Sequence, residues 1–421
     1  MLKLTINKCS KEGSTVIKNV GYLSLLQIAG YIFPLITMPY LARIIGSEGF
    51  GKIAFASGLI VWIQTIADWG FNFTATRDVA QNRDDKVVVS QIFSNVLWAR
   101  FFLTLVSALL LGLAILIIPY LQQNALVIVL TFLAIPGHIL FPDWFFQAIE
   151  KMKFITIFNL LMKFIFTVSV FFFIKEKNDY VLQPLLTTIG YIVCGVFSLF
   201  LIIKKWNYKI YSPNWRSIKS TISSSTDVFI NNLVPNFYNS LSVILLGFFS
   251  GATANGIYDG GSRFVSIARN FQLVVSRAFF PFLARKGDRQ HKIFSRLNIS
   301  ISFVMFVVLF GGAPYFVDLL LSAEFHDSIL ILRVLSLSLV GMAVYNTYGI
   351  NYLVVRHFEK YLRKITILTS LFGFLICFPL IYWYSALGVA LTITLSRLVL
   401  GIMSYCAYRK LSNSIVENVP V

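Results

Sequence analysis

The segment GIYDGGSRFVSIARNFQLVVSRAFF, residues 256–280, places Arg263, Arg269 and Arg277 in a run otherwise apolar enough for a membrane. Wound as a helix at about 100° per residue, it gathers Asp259, Arg263, Ser266, Asn270 and Arg277 into a stripe about 60° wide. Arg269 and Ser262 fall on the edge of that stripe, and Phe264, Val265 and Val275 point elsewhere. Asp259 and Arg263 stand four residues apart and can pair. A guanidinium is planar, keeps its charge when partly dehydrated and grips phosphate oxygens two at a time. The chemistry such a ribbon suits is therefore the non-covalent holding of an anionic, hydrogen-bonding cargo. A second polar set, Asn232, Asn236 and Asn239, has the i, i+4, i+7 spacing of one helix face.

These groups need elements to carry them across a bilayer. Of 421 residues, 57% are hydrophobic and only 13% charged, with a mean hydropathy of +0.75. Apolar runs of about 20 residues recur along the whole length, as membrane-spanning helices require. The ten-residue alternation of barrel strands is absent, so the chain reads as an all-α polytopic membrane protein. Spans are expected near 20–40, 52–72, 88–118, 125–147, 154–174, 180–203, 226–249, 254–281, 293–317, 326–352, 363–383 and 385–408. Sorting Lys and Arg by alternate sides puts 25 with the N-terminus and even-numbered loops and 4 opposite. That bias predicts both termini on the cytoplasmic side and explains the net charge of +18 without invoking nucleic acid. No cleavable leader is expected, because the early lysines run straight into the first span. Cys9, Cys194, Cys377 and Cys406 are scattered and suggest neither a metal site nor a disulfide framework. There is no GxxxxGK[ST] loop and no HExxH, so no cofactor and no metal are expected.

Seven basic residues remain inside spans: Arg100, Lys163, Arg263, Arg269, Arg277, Arg333 and Arg397. Only four acids sit inside or at the edges of spans, namely Asp68, Asp143, Asp227 and Asp259. Each buried charge costs ~2.5–3.5 kcal/mol on insertion scales, which predicts that they face a wet, net-positive cavity. Arg100 and Lys163 are the first half's contribution to it. A second reading has Arg277 reaching the cytoplasmic headgroups and Arg269 neutralising an acid on a neighbouring helix; for Arg333 and Arg397 both readings stand. Asp68 with Arg77 can form a gating ion pair or a static helix-end contact. Asp143 can pair with Lys163, take up a coupling proton or hold its turn. His138, alone on an apolar helix, fits a buried structural role better than a proton relay. Pro34, Pro39, Pro136, Pro142 and Pro235 permit kinks, hinged or static. Trp62, Trp69, Trp98 and Trp144 are expected to anchor at interfaces or to pack.

The chain also looks doubled. With a constant offset of 205 residues, Gly46 aligns with Gly251, Gly51 with Gly256 and Ser57 with Ser262. Gln27 and Tyr31 then fall opposite Asn232 and Asn236, adding both to the candidate lining. Six spans per half make the repeat parallel. The expected organisation is two pseudo-symmetric six-helix bundles, 1–205 and 226–421, joined by a cytoplasmic linker at 206–225.

Three stretches carry a family resemblance: NVGYLSLLQIAGYIFPLITMPYLARIIGSEGFGKIAFA, DWGFNFTATRDVAQNRDD and FPDWFFQAIEKMKF. They resemble O-antigen repeat-unit flippases of the Wzx (RfbX) type, in the polysaccharide-transport branch of the MATE-like (MOP) exporter superfamily. The resemblance implies a bacterial inner-membrane protein of two six-helix lobes in a V that opens alternately to each face. It implies a cargo of oligosaccharide linked to undecaprenyl pyrophosphate, and an O-antigen polymerase and chain-length regulator as partners. On that reading the arginines meet the pyrophosphate, and Ser266, Asn270, Asn232, Asn236 and Asn239 meet sugar hydroxyls. A membrane glycosyltransferase or polymerase is disfavoured because the outward loops are short. A multidrug exporter is disfavoured because its cavity would hold more acids than bases.

Overall fold

In lipid every backbone N–H and C=O must be satisfied internally, and this sequence meets that condition with helices alone. The computed structural model describes the backbone of residues 2–285, 288–356 and 358–417. Side chains are described from residue 22 onward, apart from 23, 24, 27, 28, 31, 277, 278, 280–282, 284–289, 357 and 413–421. Gln27, Tyr31 and Arg277 thus lie outside the described residues.

The helices are α1 (Leu2–Asp68), α2 (Phe71–Gln81), α3 (Lys86–Ile117), α4 (Pro119–Gln123), α5 (Ala125–Phe132), α6 (Ala134–Leu140) and α7 (Asp143–Ala148). There follow α8 (Met152–Phe173), α9 (Leu182–Phe200), α10 (Trp215–Leu233), α11 (Ser240–Arg285) and α12 (Asp288–Gly311). The chain ends with α13 (Ala313–Leu320), α14 (Ser328–Val344) and α15 (Glu359–Glu417). Among the described residues, nine helical stretches are long and apolar enough to cross a membrane. Three of them break partway, at Gly46, Gly251 and Ser385, and each of those supplies two crossings. Twelve crossings result, in the order the hydropathy predicts.

The differences from expectation lie at prolines and glycines. The loops expected after the first and seventh spans shrink to single residues, Gly46 (φ 63°) and Gly251 (φ 81°), in backbone that glycine adopts without a Cβ clash. The single helix expected over 125–147 is three short ones. Pro136 cannot donate to the carbonyl four residues back, and α5 stops at Phe132; Pro142 does the same to α6. Pro235 likewise ends α10 at Leu233 and starts a 3-10 turn, Val234–Phe237. Pro34 and Pro39 remain inside α1.

The chain divides into two compact units. The first holds residues 1–44 and 60–232. Its core is aromatic: Phe71, Phe93, Phe141, Trp144, Phe145 and Phe146 are all buried. Trp144 therefore packs rather than anchors. The Asp85 carboxylate accepts the N–H groups of Val87 and Val88 (2.9 and 3.1 Å) and starts α3. The segment expected as a linker is tied down, since the N–H groups of Lys209 and Tyr211 donate to Ser90 and Ser94 (3.2 and 2.9 Å). The second unit holds residues 45–59 and 233–421. In it the stretch after Gly46 crosses the stretch after Gly251 at backbone contact distance, as small residues four apart permit. Glu324 accepts the Ser47 N–H (2.8 Å) and hydroxyl (3.2 Å) at the helix start that Gly46 exposes.

Candidate functional site

The arginine ribbon sits on the second half of α11, in the second unit. Phe264 and Val265 are buried there, while Ser266 and Asn270 are exposed, as the 100° spacing demands. The Arg263 guanidinium binds Asp259 through two nitrogens, at 2.7 and 2.8 Å, and lies 4.8 Å from the Phe50 ring centroid. The pair keeps partial access to solvent, with 34% of the Arg263 side chain and 23% of Asp259 exposed. Arg263 is thus a neutralised cation on a partly exposed helix face.

Arg269 differs. It is half-buried, and its Nε has no hydrogen-bond partner among the described residues. No acid neutralises it there. Arg397 of α15 is 9% exposed, donates from Nη1 to the Ser338 hydroxyl (3.1 Å), and likewise has no carboxylate partner among the described residues. A buried cation in low dielectric without a counter-ion is costly unless an anion or water completes it. Arg333 serves another end: its Nε donates to the Phe310 carbonyl (3.3 Å) at the C-terminus of α12, where the helix dipole favours a cation.

The first unit holds a separate charged cluster. Arg100, 1% exposed, is paired with Asp68, and its Nη2 lies 3.3 Å from His138 Nδ1. Asp68 therefore meets Arg100 on α3 and not Arg77, which pairs with its neighbour Asp78 (2.9 Å). Arg100 is buried rather than facing an open path, and His138 lies against it. Asp143 does not reach Lys163; its carboxylate accepts the Trp144 N–H (2.8 Å) at the start of α7. Lys163 instead lines a cavity of about 240 Å³ between α8 and α9, with Asn159, Gln183, Thr187 and Tyr191. Its Nζ has no carboxylate partner among the described residues, and α1 passes close by at Gly30. An uncompensated cation beside two amides and two hydroxyls, in a lining otherwise made by Met162, Phe166, Leu186 and Gly190, can hold an anionic, hydroxyl-bearing group.

The three asparagines do not share one continuous helix face, because the 3-10 turn at Pro235 separates Asn232 from Asn236 and Asn239. Asn232 is exposed, and Asn239 donates to the Pro235 carbonyl (3.0 Å). Glu324 and Phe50 were not singled out by sequence. Only the apposition of two distant segments gives them a role, although the 205-residue offset already pairs those segments.

Solved structures share this architecture. An inward-facing multidrug resistance MATE family transporter of the MOP superfamily superposes with a TM-score of 0.73 at 14% identity, covering 96% of this chain and 100% of its own. The lipid II flippase MurJ in an inward closed conformation gives 0.75 at 14%, covering 93% and 87%. Two curated relatives, each described as a putative O-antigen transporter, match at the sequence level. The one from Escherichia coli strain K12 is 26% identical over 384 residues, 89% of this chain and 92% of its own. The one from Shigella dysenteriae is 24% identical, covering 91% and 97%. The fold is the one these MOP-superfamily transporter structures share. More narrowly, the polysaccharide biosynthesis protein family matches residues 16–287, and the chain belongs to that family.

Proposed function

We propose that this chain flips oligosaccharide units linked to undecaprenyl pyrophosphate from the cytoplasmic to the outer leaflet of the inner membrane. The observation that carries the reading is that Arg269 and Arg397, both in the second unit, have no carboxylate partner among the described residues, a lack that a pyrophosphate would fill. Lys163 and its cavity offer a second anionic and hydroxyl-binding position. Asp259 with Arg263, Ser266 and Asn270 lines the approach, and Arg277 continues the same stripe. The polyprenyl tail stays in the bilayer. Movement proceeds by alternating access between two lobes, 1–205 and 226–421, with both termini cytoplasmic. Asp68, Arg77, Asp143 and Asp259 are the charges placed to change partners during it. An O-antigen polymerase and a chain-length regulator act on the product.

The test is deletion of the gene in its host and complementation with Arg269→Ala or Arg397→Gln. Intact lipid-linked units accumulating inside, with surface polymer lost, supports flipping. Unpolymerised units accumulating outside indicates a polymerase. Unchanged polymer with altered dye resistance indicates drug export.

A further inference from the structure

Three loops of the first unit meet at one end of its helices: 82–85 before α3, 149–151 before α8, and 201–208 after α9. Arg83 pairs with Glu150 (3.0 Å) and donates to the Ile149 carbonyl (3.2 Å). Lys151 Nζ stands 3.7 Å from the Trp206 ring centroid. Lys86 Nζ donates to the Trp206 carbonyl (3.4 Å) and lies 6.0 Å from the Tyr208 ring. Lys205 adjoins, inside a π-helical turn, Leu201–Lys205. Arg83, Lys86, Lys151 and Lys205 thus gather near Glu150, with Asp84 and Asp85 exposed in the same 82–85 loop and Asp85 capping α3; Lys86, Lys151 and Lys205 form no ion pair among the described residues. Glu150 makes the turn in left-handed backbone (φ 57°), which a residue with a Cβ adopts at some cost. Burial, then the charges of Arg83, Lys86 and Lys205, hold the Lys151 ammonium below its ordinary range. The fold pushes like charges together here, and an anion among them would relieve the repulsion.

The position indicates which anion. Lys151 immediately precedes α8 and Lys205 closes the π-helical turn after α9, so the cluster lies where both spans leave the bilayer. Within three turns along those spans the apolar side chains Ile157, Leu161, Phe197 and Phe200 are exposed. We propose that this cluster is a headgroup site for an anionic glycerophospholipid: Lys86, Lys151 and Lys205 hold the phosphodiester beside the Trp206 ring, and the acyl chains follow the exposed faces of α8 and α9. A free phosphate would use only the first half of that surface. The site is independent of the cargo reading.

The purified full chain in mixed micelles decides the matter. Phosphatidylglycerol and phosphatidylcholine with the same acyl chains are compared by lipid retention in native mass spectrometry and by the thermal unfolding midpoint. Phosphatidylglycerol is expected to be retained and to raise the midpoint; phosphatidylcholine is not. Lys86→Gln with Lys151→Gln should weaken retention about thirty-fold, the surface value for two basic residues. Lys151→Gln alone should weaken it about fivefold, which keeps the test open if the double variant folds poorly. The exposed pair Lys360→Gln with Lys364→Gln should leave retention unchanged. Equal retention of the two lipids overturns the proposal. So does full retention in both glutamine variants, or a midpoint raised as much by inorganic phosphate alone.

Discussion

Gly51 and Gly256 face each other with their roles exchanged. A Cβ on Gly51 would lie 1.6 Å from the Ala252 carbonyl oxygen, and one on Gly256 would lie 1.8 Å from that of Ser47. Ser47 is to Ala252 as Gly51 is to Gly256, each pair 205 residues apart, so the crossing is its own pseudo-symmetry mate. Neither backbone can yield to even one methyl group without the helices parting. Gly51→Ala and Gly256→Ala should each destabilise the protein by ~3 kcal/mol or more, read as a lower unfolding midpoint in detergent. Once one methyl has separated the helices, the second finds room, so the double variant should cost less than the sum. Gly112→Ala is the control: nothing lies within 4 Å of its Cβ, and mid-helix alanine should be neutral or stabilising by up to ~1 kcal/mol.

Asp68 and Arg100 call for a different experiment. Removing one member of a buried pair strands the other, and Asp68→Asn or Arg100→Met should each cost ~3–5 kcal/mol. Yet Nε and Nη1 of Arg100 are buried without hydrogen-bond partners, so the pair is poorly solvated by the protein. Replacing both residues by apolar side chains, Asp68→Leu with Arg100→Met, should recover most of the loss in chemical denaturation. A double variant as unstable as the sum of the singles would show that the charges are satisfied by more than each other.

The fold was legible because its signals are long. Twenty-residue apolar runs located twelve crossings, and Asp259, Arg263, Ser266 and Asn270 share a face of α11 because nothing interrupts that half of the helix. The failures are local and proline-made: Pro235 broke the asparagine face, and Pro136 with Pro142 divided the fourth span. Partner choice was the least legible part. Asp68 had basic residues at 77 and 100 to choose from, and sequence distance favoured Arg77. The helix packing decided for Arg100, because spacing within one helix says nothing about which neighbour faces it. Glu324 at Ser47 was invisible for the same reason, with 277 residues between the partners.

Arg269 and Arg397 allow a binding role to be separated from a structural one. A structural arginine, once removed, lowers stability. Here Arg397 is buried without a carboxylate partner among the described residues, so Arg397→Gln removes an uncompensated charge and should leave the unfolding midpoint unchanged or raise it. Transport should fall about ten- to hundred-fold, as loss of one charge-assisted contact to a desolvated anion would give. Reconstituted vesicles with lipid-linked oligosaccharide measure the flux. Arg397→Lys should restore only part of it, because a point charge replaces a planar fork. A midpoint that drops in step with flux would assign Arg397 to the scaffold, where its bond to Ser338 alone would explain it.

Lys151 gives the pH dependence its sign. Its folded value is depressed, by burial first and then by Arg83, Lys86 and Lys205, while the unfolded chain keeps the ordinary 10.5. Between those two values the unfolded state binds more protons than the folded one, so stability rises with pH through that window. Below the folded value both states are protonated, and the penalty is constant and largest. Above 10.5 it is gone. The charged groups acting on the ammonium are Arg83, Lys86 and Lys205; Glu150, its neighbour in sequence, is engaged by Arg83, and Asp85 caps α3. Thermal midpoints of the delipidated protein should therefore climb as pH rises toward 10.5, and Lys151→Gln should flatten that part of the profile. Adding phosphatidylglycerol should flatten it too, since an anion beside the ammonium raises the folded value back toward 10.5. A slope that persists in Lys151→Gln would place the titrating group elsewhere.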